Sequence, residues 1–372
     1  MAKWCLPEAD SPRLTQVLGA CIAALDPSLP GADARAAQRL GVPAAGQMLV
    51  IFVDGLGYLP LQRRIGHAPV LRAHREETVC AHTVIPSTTA AGITAFGTGC
   101  MPGQTRMVGY SVAHGEGVMN LLAFEEDVDP EQWQPCETHF ERLARAGVEA
   151  AVISPPQFAY SGLTRAALRG SRHLGAVSLD ARIDAAIREL RAGTPLVYLY
   201  WSEIDHTGHV HGVESPEWTA ALEEFDAGLR SLLARLPRGV MATLTADHGM
   251  IDVSPSTLFD CASHPALSEG VRIIAGETRS IHVHAQPGCG EEVRQRWADY
   301  LGERAWVMSP QEARQFLGEG PGCDLVGDAV VFMAERYGVV DSRIQTPGAI
   351  GLVGVHGSLT EDEMLIPVMR LN

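Results

Sequence analysis

The 372-residue sequence is short of positive charge. Lys3 is its only lysine, and 44 acidic residues outnumber 29 lysines and arginines, which gives a formal net charge of −15. Binding to a nucleic-acid polymer relies on Lys and Arg that neutralise backbone phosphates, so we expect no such partner. A small anionic substrate stays compatible with this composition, because bound metal ions would supply positive charge locally.

Long apolar runs and paired-cysteine motifs are also absent. No run of 18 apolar residues occurs, so neither a transmembrane helix nor a membrane partner is expected. Residues 1–16 lack the apolar core of a signal peptide, and the eight cysteines form no CxxC motif. These features predict reduced thiols and a cytoplasmic location, although a chain trimmed of its signal would look the same. The oligomeric state leaves no readable pattern.

Four segments have the pattern of buried parallel strands that end in polar residues. Each is an apolar run that closes on an acid, a serine or a histidine, at residues 48–57, 148–156, 195–209 and 239–250. Helical periodicity fills 138–146, 178–192 and 215–236. Strands that alternate with helices predict an α/β fold with a mostly parallel sheet. Ligands of such sheets bind beyond the carboxyl ends of the strands.

Changes of pattern along the chain predict three parts. Residues 11–26 have helical spacing, so we expect residues 1–46 to form a helical extension packed on the core. The core would comprise residues 47–274 and 336–372. Between them, residues 275–335 would form a small inserted α+β subdomain. Its signs are an alternating segment, RSIHVHAQ, typical of an edge strand, and a capping box at Ser309 and Glu312.

Acidic and imidazole side chains follow the predicted strands where the sheet would gather them. They are Asp54, Asp205, His209, Asp247, His248 and His356. Three carboxylates and three imidazoles are enough ligands for two divalent metal ions. A mixed Asp and His set favours zinc, with manganese as the alternative. Two such ions would clamp the attacking and leaving oxygens of a phosphoryl transfer.

The stretch VIPSTTAAGITAFGTG, residues 84–99, holds four threonines and no charge. An alcohol needs a base or a metal to act as a nucleophile at neutral pH. A metal held by the strand ends would meet that need. Each motif also has a simpler explanation, since Thr-rich stretches cap helices and Asp-x-x-x-His is equally the spacing of a helix-face pair. His206 and His211 are alternative imidazoles beside that pair.

The order of these motifs resembles the type I phosphodiesterase/nucleotide pyrophosphatase family of the alkaline phosphatase superfamily. The matching stretches are VDGLG, PSTTAAGITAFGTG, EIDHTGH, ADHGM and VHGS, and the resemblance runs from about residue 47 to the C terminus. It implies an alkaline-phosphatase-like three-layer α/β/α sandwich with a mostly parallel central sheet and a small inserted α+β subdomain.

The resemblance also implies a two-metal hydrolase of phosphoric esters. Its register gives Thr89 as the nucleophile, because Pro86 lies three residues before it and Thr98-Gly99 follow nine and ten later; Thr88 is the alternative. A phospho-threonine intermediate and a small phosphate-ester substrate, a nucleotide among the candidates, are then expected. The implied ligands are Asp54, Thr89, Asp247 and His248 for one metal, and Asp205, His209 and His356 for the other.

The chain departs from the family's pattern beside the nucleophile. The family usually has an aromatic residue directly after it and a phosphate-contacting Asn two residues further, where this chain has Ala90 and Gly92. These departures argue against a plain nucleotide-stacking site. Thr105-Arg106 replaces a His-Gly that often follows, so Arg106 and Gly92 are the candidate substrate-binding residues. For Arg106 a surface position is the alternative.

Several other activities fit the sequence less well. Hydrolysis of phosphomonoesters or phosphonates is the alternative within the superfamily, and a metal-binding protein without turnover is a remote one. A phosphomutase is disfavoured by the small insert, and a sulfatase by the absence of its Cys/Ser-x-Pro-x-Arg motif. A metal-free serine hydrolase is poorly supported, because no G-x-S-x-G occurs.

Overall fold

The computed structural model describes residues 4–372, so residues 1–3 of the predicted N-terminal extension lie outside it. Its helices are α1 (Val17–Leu25), α2 (Ala34–Arg39), α3 (Tyr58–Arg64), α4 (Pro69–Ala73), α5 (Thr89–Thr98), α6 (Pro102–Thr105), α7 (Pro130–Trp133), α8 (His139–Arg145), α9 (Gly162–Ala167), α10 (Leu179–Ala192), α11 (Glu203–His211), α12 (Pro216–Arg235), α13 (Pro265–Ser268), α14 (Gly290–Leu301), α15 (Pro310–Leu317), α16 (Pro347–Ile350) and α17 (Glu361–Met364).

The strands of the described residues make one large sheet and several small ones. They are β1 (Gln47–Val53), β2 (Thr78–His82), β3 (Ser111–His114), β4 (Gly117–Asn120), β5 (Ala150–Ser154), β6 (Arg172–Gly175), β7 (Leu196–Trp201), β8 (Val240–Thr245), β9 (Ile251–Asp252), β10 (Leu258–Asp260), β11 (Val271–Gly276), β12 (Ser280–Ala285), β13 (Ala305–Met308), β14 (Ala329–Met333), β15 (Gly338–Val340), β16 (Gly354–Val355) and β17 (Leu365–Arg370).

The large sheet has the strand order β2-β17-β8-β1-β7-β5-β6. Strand β1 lies at its centre and pairs in parallel with β7 and β8, with Met48 opposite Leu196 and Met241. Strand β17 is antiparallel to both its neighbours, β2 and β8, and among the strands of this sheet in residues 4–372 the other six share one direction. The predicted α/β fold with a mostly parallel sheet is therefore confirmed. The buried apolar run of β1 reflects a strand covered on both faces.

Helices cover both faces of this sheet. Successive side chains of a strand point to opposite faces, and in β7 Tyr198 packs on Phe96 of α5, whereas Trp201 packs on Phe225 of α12. Helix α12 begins where its sequence predicts, with the Ser215 hydroxyl accepting the amide of Trp218 at 3.0 Å. The result is a three-layer arrangement with α5 and α12 on opposite sides.

A second, antiparallel sheet has the order β11-β12-β14-β13. It has a hydrophobic cluster of its own, which includes Val283, Trp297 and Val331 and packs helix α14 onto the sheet. The segment RSIHVHAQ forms β12, which pairs on both sides, so the edge-strand prediction for it is wrong. Of the helices in residues 4–372, none combines the length and the apolar character that crossing a bilayer requires.

Candidate active site

Two adjacent strands of the large sheet deliver the first acidic groups. Asp54 follows β1, and Asp247 and His248 follow β8, so the strand pairing places them side by side. The backbone amide of Gly55 donates to Asp247 Oδ1 at 3.1 Å. Gly55 has a φ of +71°, and a Cβ there would lie 2.9 Å from the Cα of Asp205. Glycine after Asp54 therefore lets the loops that follow β1 and β8 pack closely against the segment that carries Asp205.

The next groups come from a helix and from a short strand. Strand β7 ends at Trp201, and helix α11 begins at Glu203. Asp205 and His209 consequently lie one helical turn apart, with Oδ2 and Nε2 separated by 3.2 Å. His356 follows β16, and its ring centroid lies 3.7 Å from that of His248.

Thr89 lies against this cluster. It is the first residue of α5, and its Oγ1 is 3.0 Å from Nε2 of His248. The N-terminus of a helix carries partial positive charge, which favours an anion at that oxygen. Thr88 is the N-cap residue, and its hydroxyl instead donates to Oε2 of Glu277 at 3.2 Å. The two neighbouring threonines thus have different surroundings.

The three histidines share one hydrogen-bonding pattern. In each, Nδ1 lies within hydrogen-bond distance of a backbone carbonyl oxygen: 2.8 Å from Gly354 for His209, 2.9 Å from Gly249 for His248, and 3.0 Å from Ser87 for His356. A carbonyl only accepts, so each Nδ1 carries the proton. In a neutral imidazole with this proton, Nε2 has its lone pair available, which is the arrangement of metal-ligating histidines.

Three carboxylates at the site have oxygens without a hydrogen-bond partner. These are Oδ1 of Asp54, Oδ1 of Asp205 and Oδ2 of Asp247, all buried. Burial, followed by the charges of Asp247 and Asp205, raises the pKa of Asp54 well above its ordinary value. Burial likewise raises the pKa of Asp247. A buried carboxylate without a partner is costly, so this cluster calls for positive charge.

The imidazoles respond to the same cluster in opposite ways. Burial alone would lower the pKa of His209, but the Asp205 carboxylate raises it to about 9. Burial and then the neighbouring His248 hold the pKa of His356 well below its ordinary value. The side chains form two groups whose ligand atoms lie within 4.8 Å of one another: Asp54, Asp247 and His248, and Asp205, His248 and His356. These donor sets fit divalent cations.

The two predicted substrate-binding residues, Gly92 and Arg106, have packing roles in the structure. Gly92 is buried in α5, where a Cβ would come within 2.8 Å of the Cβ of Asp247. Its small size therefore lets the helix pack on the Asp247 loop. The guanidinium of Arg106 lies 4.1 Å from the ring centroid of Trp133. Ala90, at the position of the family's aromatic residue, is fully buried.

Two further residues at the site, Tyr200 and Glu277, belong to none of the sequence motifs. The hydroxyl of Tyr200 donates to Oδ2 of Asp54, because Tyr200 in β7 lies opposite Phe52 in β1. Glu277 comes from the turn between β11 and β12, and its Oε2 lies 3.5 Å from Nδ1 of His356. The register of β1 and β7 would have revealed Tyr200, but nothing in the sequence around Glu277 distinguishes it from a surface acid.

A cavity of about 770 Å³ opens beside Thr89 and has two unlike ends. The polar end consists of Asp54, Thr89, Asp205, His209, Glu277 and His356. The apolar end consists of Ile93, Tyr110, Val118, Phe158, Leu163 and Ile344. No arginine or lysine among residues 4–372 lines the cavity.

Solved structures share this fold. Murine ectonucleotide pyrophosphatase/phosphodiesterase 5 is 19% identical with a TM-score of 0.69, covering 87% of each chain, and its inactive variant has been solved in complex with AMP. Phosphonoacetate hydrolase from Sinorhizobium meliloti 1021, in complex with phosphonoformate, is 18% identical with a TM-score of 0.69, covering 88% of this chain and 90% of its own. The chain therefore shares its fold with these two proteins.

The sequence model described as type I phosphodiesterase/nucleotide pyrophosphatase matches residues 48–359. The chain therefore belongs to that family, as its motifs predicted. Among curated relatives, the phosphopentomutase of Anaeromyxobacter dehalogenans (strain 2CP-C) is 32% identical over 125 residues, which is 33% of this chain. The matched segment spans 30% of that mutase, so the chain covers about a third of its length.

Proposed function

We propose that the protein is a metal-dependent hydrolase of phosphoric esters, of the phosphodiesterase/pyrophosphatase type, with Thr89 as its nucleophile. The observation that carries this proposal is the position of the Thr89 hydroxyl. It lies at the N-terminus of α5, 3.0 Å from His248, beside buried carboxylate oxygens that have no hydrogen-bond partner. Membership of the family supports the same reaction class.

Two divalent cations fit the donor set, with zinc favoured by its mixed ligands and manganese as the alternative. Asp54, Thr89, Asp247 and His248 would hold one, and Asp205, His209 and His356 the other. When bound, such ions lower the pKa of a coordinated alcohol and neutralise charge on phosphate oxygens. The Nδ1–carbonyl hydrogen bonds of the three histidines, which turn each Nε2 towards the cluster, and the unpartnered carboxylate oxygens are the features of the chain that support this assignment.

The residues of the chain divide the reaction into two displacements. Thr89 Oγ1, as the alkoxide, forms a bond to phosphorus while the bond to the leaving oxygen breaks, which gives a phospho-threonine. Water then attacks the same phosphorus and releases Thr89. The dipole of α5 stabilises negative charge on Oγ1, and the fixed positions of the groups supply most of the rate enhancement. Two in-line displacements predict retention of configuration at phosphorus.

Phosphomonoesterase and phosphonate hydrolase activities remain the alternatives within this chemistry. The fold neighbours include a protein bound to AMP and a hydrolase of phosphonoacetate, so the fold accommodates both kinds of ligand. The mutase similarity covers only a third of the chain. A mutase must hold a polar sugar phosphate, and the largely apolar cavity without arginine or lysine argues against that substrate.

The test is a pair of valine substitutions in α5, assayed on zinc-loaded protein. Thr89→Val and Thr94→Val each remove one hydroxyl and keep the side-chain shape, and the Thr94 hydroxyl donates to the Ala90 carbonyl at 2.7 Å. We expect Thr89→Val to lower kcat by about 10³-fold or more, and Thr94→Val to change it by less than about threefold. Near-normal turnover in Thr89→Val would refute the nucleophile assignment.

The same preparation separates the alternatives. Turnover of a p-nitrophenyl phosphate diester is compared with turnover of p-nitrophenyl phosphate, the monoester. A preference for the diester supports the phosphodiesterase assignment, and a preference for the monoester favours a phosphatase. If both esters and a phosphonate are inert with zinc and with manganese, the protein binds metal without turnover.

A further inference from the structure

We infer that the substrate carries an uncharged hydrocarbon group, an alkyl chain or an aromatic ring, which occupies the apolar end of the cavity. This inference rests on the proposed function, because it takes the phosphate to lie at Thr89. It deepens that function by naming the substrate class. The evidence is the composition of the cavity wall, the exposure of its rim and the charges around it.

The wall of the cavity is largely apolar, with serine and threonine hydroxyls interspersed. Ile93, on the same helix as Thr89, is 4% exposed, and Leu163 of α9 is 9% exposed. Phe158 adds an aromatic ring to this wall. A cavity of about 770 Å³ is within the size range that encloses most of a small organic ligand. An apolar group placed there would be removed from water, whereas ribose hydroxyls would lose their hydrogen bonds to water.

The rim of the cavity exposes apolar side chains to solvent. Residues 4–372 contain six exposed large hydrophobic side chains, and four of them line this cavity: Tyr110, Val118, Val210 and Ile344. Their exposed fractions are 42%, 40%, 47% and 59%. Exposed apolar residues scattered singly need no explanation, but their concentration at one opening marks a binding site.

The charges around the cavity argue against a substrate with a second anionic group. A second phosphate or a carboxylate on the substrate would need a cationic partner, yet no arginine or lysine in residues 4–372 lines the cavity. The acidic side chains that do line it beyond the metal-ligand cluster are Glu277 and Asp341, and Asp341 pairs with Arg343 at 2.6 Å. Glu277 Oε1 has no hydrogen-bond partner. A further anionic group would therefore be desolvated in the cavity without a cationic partner.

The first test measures binding of n-alkylphosphonates to the zinc-loaded protein by calorimetry. Methyl-, butyl- and octylphosphonate share one head group, so the chain alone changes. We expect the dissociation constant to fall about fourfold for each buried methylene, and at least about a hundredfold from methyl to octyl. Benzylphosphonate against butylphosphonate distinguishes an aromatic ring from a chain. A dissociation constant independent of chain length would overturn the inference.

Two comparators test charge and polarity. 7-Carboxyheptylphosphonate resembles octylphosphonate but ends in a carboxylate, and we expect it to bind at least about tenfold more weakly. AMP is the nucleotide comparator and should bind more weakly than octylphosphonate. Tighter binding of AMP, or equal binding of the carboxylate, would contradict the inference.

Rim substitutions provide matched variants. Val118→Asp puts a charge on the exposed rim, and Val177→Asp puts the same charge on an exposed valine that does not line the cavity. We expect Val118→Asp to weaken octylphosphonate binding about tenfold and to leave methylphosphonate unchanged. Val177→Asp should bind both as the parent protein does. Equal effects of the two substitutions would count against the assigned wall.

The inference and the proposed function fail in different ways. If the protein hydrolyses phosphate esters but its affinity for phosphonates does not change with chain length, only the inference about the hydrocarbon group is refuted. Chain-length-dependent binding by a protein that hydrolyses no phosphate ester, with zinc or with manganese, refutes the proposed function.

Discussion

The polar end and the apolar end of the cavity come from different parts of the fold. The polar end collects residues that follow β1, β7, β8 and β16, where the large sheet and its partner strands end. Most of the apolar end comes from short elements such as β4, α9 and the loops around them. Groups at the first end are fixed by backbone hydrogen bonds, whereas several at the second are exposed to solvent.

This difference separates the demands of reaction from those of recognition. Phosphoryl transfer needs a few charged groups at fixed separations, and such groups tolerate no substitution. A hydrocarbon pocket needs only area and shape, which many combinations of apolar side chains provide. We therefore expect single-atom changes at the polar end to lower activity. At the apolar end, only an introduced charge or a larger loss of side-chain volume should weaken binding.

The largest expected effect comes from changing one atom at the polar end. Asp247→Asn keeps the shape but removes a buried negative charge beside His248. We expect kcat/KM to fall by about 10³-fold or more, with loss of bound metal, because the substituted amide is a poorer ligand. Steady-state kinetics and elemental analysis of the purified variant would measure both.

Asp226→Asn is the matched control. Asp226 is also buried, but it accepts the backbone amides of Val70 and Leu71 at 3.1 and 2.9 Å, away from the cavity. It should lose stability and keep its metal content. An active, metal-loaded Asp247→Asn protein would show that the polar end is not a metal site.

Removal of metal should destabilise the protein. Its unpartnered carboxylate oxygens repel one another without a cation, and a ligand at a thousandfold its dissociation constant stabilises the folded state by about 4 kcal/mol. Thermal unfolding with and without a chelator should therefore show a melting temperature lower by several degrees, restored by added zinc. A melting temperature indifferent to chelator and to zinc would argue against the donor set assigned here.

The sequence predicts the polar end well because its information is local. Asp54 and Asp247 follow apolar runs long enough to be recognised as strands, and parallel strands gather their ends at one edge. Asp205 and His209 likewise follow an apolar run, and the structure places them on helix α11, which begins at Glu203. Residues four apart lie on the same face of a helix, so α11 brings these two side chains together.

The apolar end could not be predicted, because no short motif defines it. Ile93, Val118 and Ile344 are far apart in the sequence and meet only through tertiary packing. Glu277 could not be predicted for the same reason, since it approaches His356 from the second sheet. The sequence likewise gives no sign that β12 pairs on both sides, because alternation alone does not distinguish an edge strand from a central one.

A smaller effect is expected from His139, which packs at the C-terminal end of α5, the helix that begins with Thr89. A Cβ at Gly99, just after α5, would lie 2.9 Å from its Nε2. Burial, together with the charge of Arg142, lowers the pKa of His139 to about 4. As the pH falls, His139 is therefore protonated near pH 6.5 in the unfolded chain, but only near pH 4 in the folded protein.

Stability should thus be full above pH 6.5 and decline as the pH falls towards 4, by about 3 kcal/mol from this group alone. Urea unfolding at pH 7, 6 and 5 would measure the slope. His139→Gln should flatten it, whereas the same substitution at exposed His67 should not. An unchanged slope in His139→Gln would show that the acid sensitivity arises elsewhere.

The smallest expected effect concerns Arg106, the predicted phosphate contact. Its guanidinium stacks on Trp133, and the Trp133 indole donates to the Arg106 carbonyl at 3.3 Å. Because Arg106 does not line the cavity, we expect Arg106→Ala to cost about 1 kcal/mol of stability and to leave kcat/KM within about twofold. A phosphate contact would act in the opposite way: KM would rise about tenfold while the melting temperature stayed constant. Measuring both on one preparation decides whether this arginine belongs to the polar end or to its scaffold.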